Sequence, residues 1–301
     1  MATTTQALPV LPDLSPEPRA STVHRVSGRR RAGLALRHLL LIVMSVTTVI
    51  PVLLVVSTAL KTDAEVKVDP FGLFTSFSME SIVRAWTEGQ FSDYLLNSVL
   101  LAVPSTVLII VVSTMAGYTF ARLPFPGRTL LFYVVVLGLL VPFFTYMIPL
   151  YFQLRSMGLL DTLPGAVLVL TSTGTSFGTF FMRAFFSDLP EELEQAARID
   201  GCSEWRIFTS VMLPLVSSGI GSLAVFTFIS TWNNFLVPLL YLPGGGYRPL
   251  TTALYAFTGG RSIDIAPLAA GTLITILPII VLFVVLQKQV TAGFISGAVK
   301  G

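Results

Sequence analysis

Six stretches of this chain contain no Asp, Glu, Lys or Arg: 39–60, 94–121, 129–154, 162–182, 207–247 and 265–287. Each is mostly apolar and reaches the roughly 20 residues a helix needs to cross about 30 Å of hydrocarbon. Backbone polar groups in lipid must be satisfied within their own segment, so helices are predicted and strands are not. The fifth stretch has length enough for two spans. Its start, however, is polar and broken by Pro214, Ser217, Ser218, Gly219 and Gly221, which places one helix at about 218 to 241. The expected fold is therefore an all-α membrane protein with six transmembrane helices. Composition agrees, with 12% charged residues against the roughly 25% of an ordinary soluble domain.

Charge orients the predicted bundle. With the N-terminus inside, the inner segments hold 13 of the 19 basic residues, including Arg25, Arg29, Arg30, Arg31 and Arg37 ahead of the first span. The positive-inside bias then puts both termini in the cytoplasm. Residues 1–38 read as a mobile cytoplasmic tail and 39–60 as the first helix, too long for the apolar core of a cleaved signal peptide. Segment 61–93 lies outside, with a short helix around Met79 to Trp86. Residues 94–288 hold the other five helices, and 289–301 form a cytoplasmic tail.

Absences narrow the chemistry. Cys202 is the only cysteine and both histidines, His24 and His38, lie in the tail, so no metal-ligand cluster is expected. No phosphate-binding loop is present; Gly244, Gly245 and Gly246 lack the following lysine and hydroxyl. ATP, if used, is hydrolysed by another chain. Ion-coupled carriers keep ionisable relays within their spans, and these spans have none. An intramembrane enzyme is disfavoured by the same lack of His, Cys and carboxylates. The net charge of +3 is accounted for by orientation and requires no nucleic acid.

One charged loop, 187–214, interrupts the apolar pattern. Asp188 and Glu191 have capping-box spacing, and Pro190 falls in the first turn of the helix that should follow. Leu189, Leu193, Ala196 and Ala197 recur at helical spacing on one side, with Glu191, Glu192, Glu194 and Arg198 on the other. Gly201 suits a left-handed stop. A second short helix should run from Ser203 to about Met212, with Trp205, Phe208 and Met212 along one side, and end at Pro214. By pattern alone the hairpin either docks on a protein or lies on the lipid surface.

The run Gln195-Ala-Ala, three residues, Gly201, nine residues, Val211-x-Leu-Pro214 resembles the EAA loop of ABC importer permeases. Ile199-Asp200-Gly201, Trp232-Asn-Asn-Phe-Leu-x-Pro238, Met147-Ile-Pro-Leu-Tyr151, Asn97-Ser98, Ala116-Gly-Tyr-x-x-Ala-Arg122 and Gly297-Ala-Val-Lys-Gly301 are similar to the MalG-like permease of carbohydrate importers. The resemblance covers nearly everything after residue 38. Gln195 stands where the signature has glutamate, with Glu194 adjacent, and Val211 stands for isoleucine.

The resemblance implies a type I ABC permease fold in a bacterial inner membrane. It implies a second, homologous permease, a dimer of ATPase subunits that binds ATP and Mg, and an extracytoplasmic solute-binding protein. Glu194, Gln195, Ala196, Ala197, Asp200, Gly201 and Pro214 would couple to the ATPase, with Asp200 capping or orienting the turn and Lys300 a weaker contact. The implied cargo is a carbohydrate, a di- or oligosaccharide; a polyol or glycerophosphate-type solute is the alternative. Trp232, Asn233 and Asn234 are candidates for the substrate pathway. The structural reading of the two amides, as hydrogen-bonding glue between helices, is favoured, and Trp232 is as readily a core aromatic as a platform for a sugar ring.

Overall fold

In the computed structural model residues 28–258 and 263–298 are described, and these form helices and no strand. The order is α1 (Gly28–Ala59), α2 (Asp63–Val68), α3 (Glu80–Glu88), α4 (Phe91–Arg122), α5 (Arg128–Leu137), α6 (Phe143–Ser156), α7 (Leu163–Ser187), α8 (Glu192–Ile199) and α9 (Glu204–Arg206). A π-helical segment (Ile207–Met212) leads into α10 (Leu213–Leu215), followed by α11 (Ser217–Trp232), α12 (Leu236–Tyr241), α13 (Leu250–Ala253) and α14 (Ile265–Ala298). Residues up to Pro51 make one unit and Val52 onward another. The first is the run of α1 through the most apolar window of the chain; all packing described below lies in the second.

Two predicted boundaries move. α1 starts at Gly28, so its helix takes in the last part of the predicted tail, and α14 continues to Ala298 through most of the predicted C-terminal tail. Lys300 and Gly301 lie outside the described residues. Among the described residues four helices are long and apolar enough to cross a membrane, or five if the bent pair 204–215 and 217–232, angled at 76°, is one span. The third window, 129–154, is instead two short helices, α5 and α6. Gly138 to Pro142 interrupt them, because Pro142 donates no N–H and Val141 before it is biased away from helix. The fifth window is likewise not one helix: it breaks between Trp232 and Leu236.

Close packing of α4 on α7 makes the centre of the bundle. Gly174 and Gly178, four apart on α7, face Ile109 and Ser113 of α4; a Cβ on Gly178 would stand 2.2 Å from Ser113 Oγ. Small residues at this spacing let helix backbones approach where lipid offers no hydrophobic drive to association. The Ser113 hydroxyl donates to the Thr175 carbonyl at 3.3 Å. α11 joins through a Thr106–Thr231 hydroxyl pair at 3.1 Å. On its other side, Trp232 donates from Nε1 to the Thr275 carbonyl of α14 at 3.0 Å.

Candidate functional site

The 187–214 loop begins where α7 ends. Asp188 closes α7, its N–H donating to the Ala184 carbonyl, and α8 begins at Glu192, with Glu191 before it making no side-chain cap. α8 then stops in a Schellman motif: Gly201 N–H donates to the Arg198 carbonyl at 3.1 Å and Cys202 N–H to the Ala197 carbonyl at 3.0 Å. That geometry requires φ of +79° at Gly201, the left-handed region glycine enters without penalty. Ser203 caps α9 by accepting from Arg206 N–H.

The second arm differs from the single helix predicted. It widens into π geometry over Ile207–Met212, with Leu213 N–H donating to the Phe208 carbonyl five residues back. Pro214 does not end the arm. It sits within α10, and the wider turn before it relieves the clash its ring would have with the carbonyl four residues back. The change of period buries Ile207, Phe208 and Met212 and leaves Trp205 outward, 64% exposed.

The two predicted sides of α8 do not stay whole. Glu194, predicted on the charged side, is the inward residue with Ala197 and is only 4% exposed. Leu193, Gln195, Ala196, Asp200 and Gly201 face out, beside Ile199 at 86% exposure. Two arginines meet Glu194 there. Glu194 Oε1 lies 3.5 Å from Arg122 Nε of α4, and its Oε2 lies 3.6 Å from Arg198, which also holds Glu204 at 2.8 Å. Burial pushes the Glu194 carboxyl above its ordinary pKa, against the pull of both arginines, whereas the hydrogen bond from Arg198 holds Glu204 below its own. Arg122 is both the end of a motif and one of the inner basic residues; its position directly after the uncharged run 94–121 was the available signal.

A second site lies inside the bundle. A cavity of about 630 Å³ opens where the two helix breaks meet, walled by Gly138, Leu139 and Val141 of the first and by Asn234 and Leu236 of the second. Its polar wall is Thr173, Thr227, Ser230, Thr231, Asn234 and Tyr146, with no charged side chain lining it. Asn234 is half-buried. Its Oδ1 accepts from Val237 N–H at 2.9 Å, and its carbonyl accepts from the Thr251 hydroxyl at 3.1 Å. The amide thus caps α12 in place of bridging two spans. Irregular backbone at membrane depth is tolerated where it lines a cavity. Of the three predicted pathway residues only Asn234 lines this space. Trp232 is buried against Phe228 and α14, and Asn233 is exposed. The polar stripe Thr227, Ser230, Thr231 and Asn234 repeats at three- to four-residue spacing and was legible as one helix face.

Residues 110–292 match the family of binding-protein-dependent transport system inner membrane components. The chain belongs to this family. It is 35% identical over 276 residues to the diacetylchitobiose uptake system permease protein NgcG of Streptomyces coelicolor, covering 91% of each chain. To the trehalose transport system permease protein SugB of Mycobacterium tuberculosis it is 32% identical over 254 residues, covering 84% of this chain and 92% of the other. A crystal structure of a bacterial ABC transporter for the acidic polysaccharide alginate contains a chain of the same fold. That match has a TM-score of 0.72 and 21% identity, covering 87% of this chain and 98% of that one. The permease is thus a non-enzymatic, membrane-spanning transport subunit with the type I fold.

Proposed function

We propose that this permease moves a neutral di- or oligosaccharide into the cytoplasm as one of two homologous permeases of a bacterial inner-membrane importer. A solute-binding protein delivers the sugar from outside. A separate ATPase dimer, holding ATP and magnesium, supplies the energy through the 187–214 loop. α1, α4, α5 with α6, α7, α11 with α12, and α14 make six crossings, with both termini in the cytoplasm.

The neutral cavity carries this reading. Hydroxyls and an amide suit a solute that is itself a set of hydroxyls, and no charged lining residue favours a phosphate or carboxylate cargo. The two named relatives are permeases for diacetylchitobiose and trehalose, both uncharged disaccharides. On the loop, Leu193, Ala196, Ile199 and Trp205 form an exposed apolar face framed by Gln195, Asp200 and the Gly201 turn, which suits a partner groove.

Uptake of labelled neutral saccharides by cells lacking the gene, with and without the gene restored, tests the proposal. Loss and recovery for one di- or oligosaccharide is expected. Filling the cavity with Ser230→Phe should lower its uptake by about tenfold, the scale of losing one good substrate contact. Unchanged saccharide uptake in the deletion, alongside loss of a polyol or phosphodiester, would replace the sugar by the alternative cargo.

A further inference from the structure

Three pieces of the chain meet on one guanidinium. Arg122 is the last residue of α4. Its Nε donates to the Phe186 carbonyl at 2.9 Å, and its Nη2 donates to Phe186 and Leu189 carbonyls at the end of α7. The same group faces the Glu194 carboxylate of α8, and both side chains are 5% exposed. Through Arg198, Glu194 is also tied to Glu204, so the two arms of the loop are held to each other and to the tightly packed α4–α7 pair.

Stability does not explain the arrangement. Removing both charges of a pair from water costs about as much as their attraction returns, so a buried pair is weak evidence for a contribution to folding. Glu194 Oε1, moreover, has no formed hydrogen bond. What the pair does supply is direction: a fixed orientation of α8 relative to two long helices. The other ties of α8 are to the second arm and the apolar cluster around Ala197, and Arg122 is the ion-pair partner that joins it to α4.

We propose that Glu194 is a positioning residue that transmits displacement of the 187–214 loop to the ends of α4 and α7, and that it is not a docking residue standing in for Gln195. The inference rests on the coupling role proposed above. Its orientation separates the two roles: Glu194 points into the bundle, and Gln195 points away from it.

The test measures sugar uptake, co-purification of the ATPase and ATP hydrolysis for the whole importer. Glu194→Gln should keep the ATPase bound and hydrolysing while uptake falls by about tenfold, the size of a typical coupling between sites. Glu194→Asp, which keeps the charge, should recover most of the uptake. Release of the ATPase by Glu194→Gln would make the residue part of the docking surface and overturn the proposal, as would normal uptake. If the Gln variant is absent from the membrane, Arg122→Lys is measured in the same way, since one ammonium cannot bridge two carbonyls and a carboxylate at once. Uncoupling again supports the proposal; normal uptake, or loss of both proteins from the membrane, overturns it. Failure of the unaltered permease to hold any ATPase is a different outcome, because it removes the coupling reading itself.

Discussion

Two charged connections sit at opposite ends of α4, which at 1.5 Å per residue is about 48 Å long, and they treat a glutamate in opposite ways. Before α4, Glu65 caps α2 through a full capping box with Thr62 and accepts from the Ser76 hydroxyl at 2.8 Å. Those hydrogen bonds, led by the Thr62 backbone N–H, hold its carboxyl below its ordinary value. Beyond α4, Glu194 is buried with arginines for company and its carboxyl is pushed up. The first connection satisfies its own polar groups: Lys61 donates to the Asp69 carbonyl, Ser57 receives Phe74 N–H, and Arg84 gathers Asp63, Glu88 and Asp264. The second leaves Glu194 Oε1 buried without a hydrogen bond, while both connections turn apolar residues outward, Phe71 and Phe77 in the first and Ile199 and Trp205 in the second. The difference between the two ends thus lies in how each holds its glutamate, hydrogen-bonded at one and buried between arginines at the other.

The largest effect should come from the turn of that loop. No atom lies within 4 Å of a Cβ built on Gly201, so within this chain Gly201→Val suffers only from its positive φ, a strain of about 1–3 kcal/mol. The permease should therefore insert and pair, yet lose uptake because the turn no longer fits the ATPase. Uptake measured beside membrane content of the variant checks this. Normal uptake would remove the docking interpretation, and failed insertion would make the glycine a folding residue.

A smaller effect is expected at the opposite end. Arg84 ties α3 to the start of α2 and to the residue before α14, with partners that are partly exposed, so its ion pairs contribute about 1 kcal/mol together. Arg84→Ala should lower the thermal midpoint by about 2–4 °C and leave ATPase co-purification unchanged. Loss of the ATPase in this variant would show that the two ends are not independent.

Acid sharpens the contrast further. Glu65 is depressed when folded, so its contribution is complete above the ordinary carboxylate value of 4.5 and is lost as pH falls through its lower folded value. Glu194 is raised when folded, so the folded state favours its protonated form. The stability it contributes is present below 4.5 and disappears as pH rises through its higher folded value. Thermal midpoints across pH 3 to 7, a range bracketing ordinary carboxylates, should show Glu65→Gln flattening the acid limb. Glu194→Gln should remove a decline on the other side of 4.5. Identical profiles for both variants would erase the distinction.

The sequence made these two ends unequally legible. The absence of charge located the four long apolar helices, since lipid leaves few options for an uncharged run of 20 or more residues, and the Gly201 stop followed from glycine's access to positive φ. The inward position of Glu194 was not legible, because it reads as one of the charged residues of α8 until Arg122, far earlier in the chain, is brought beside it. The breaks were half legible: Pro142 and the Asn233-Asn234 pair were visible, but whether a polar residue in a span caps its own helix or bonds a neighbour depends on packing. Asn234 does the former and still reaches the cavity. Trp232 was open between a sugar platform and a core aromatic until the Thr275 carbonyl of α14 appeared opposite its indole nitrogen.

The smallest effect should come from restoring the signature residue. Gln195 is exposed on α8, four residues after Glu191 and three before Arg198. A glutamate there would gain slightly from the helix N-terminus and lose slightly to Glu191 and Glu192. Arg198 has little to offer it, being already engaged by Glu194 and Glu204. These terms cancel to within about 0.5 kcal/mol, as for most surface substitutions, so Gln195→Glu should change neither membrane content nor initial uptake rate by more than about twofold. A rise well beyond that would show a basic group of the ATPase waiting opposite position 195, and a fall would show an acidic one. Either result would move the electrostatic centre of the loop from its inward face, where Arg122 holds Glu194, to its outward one.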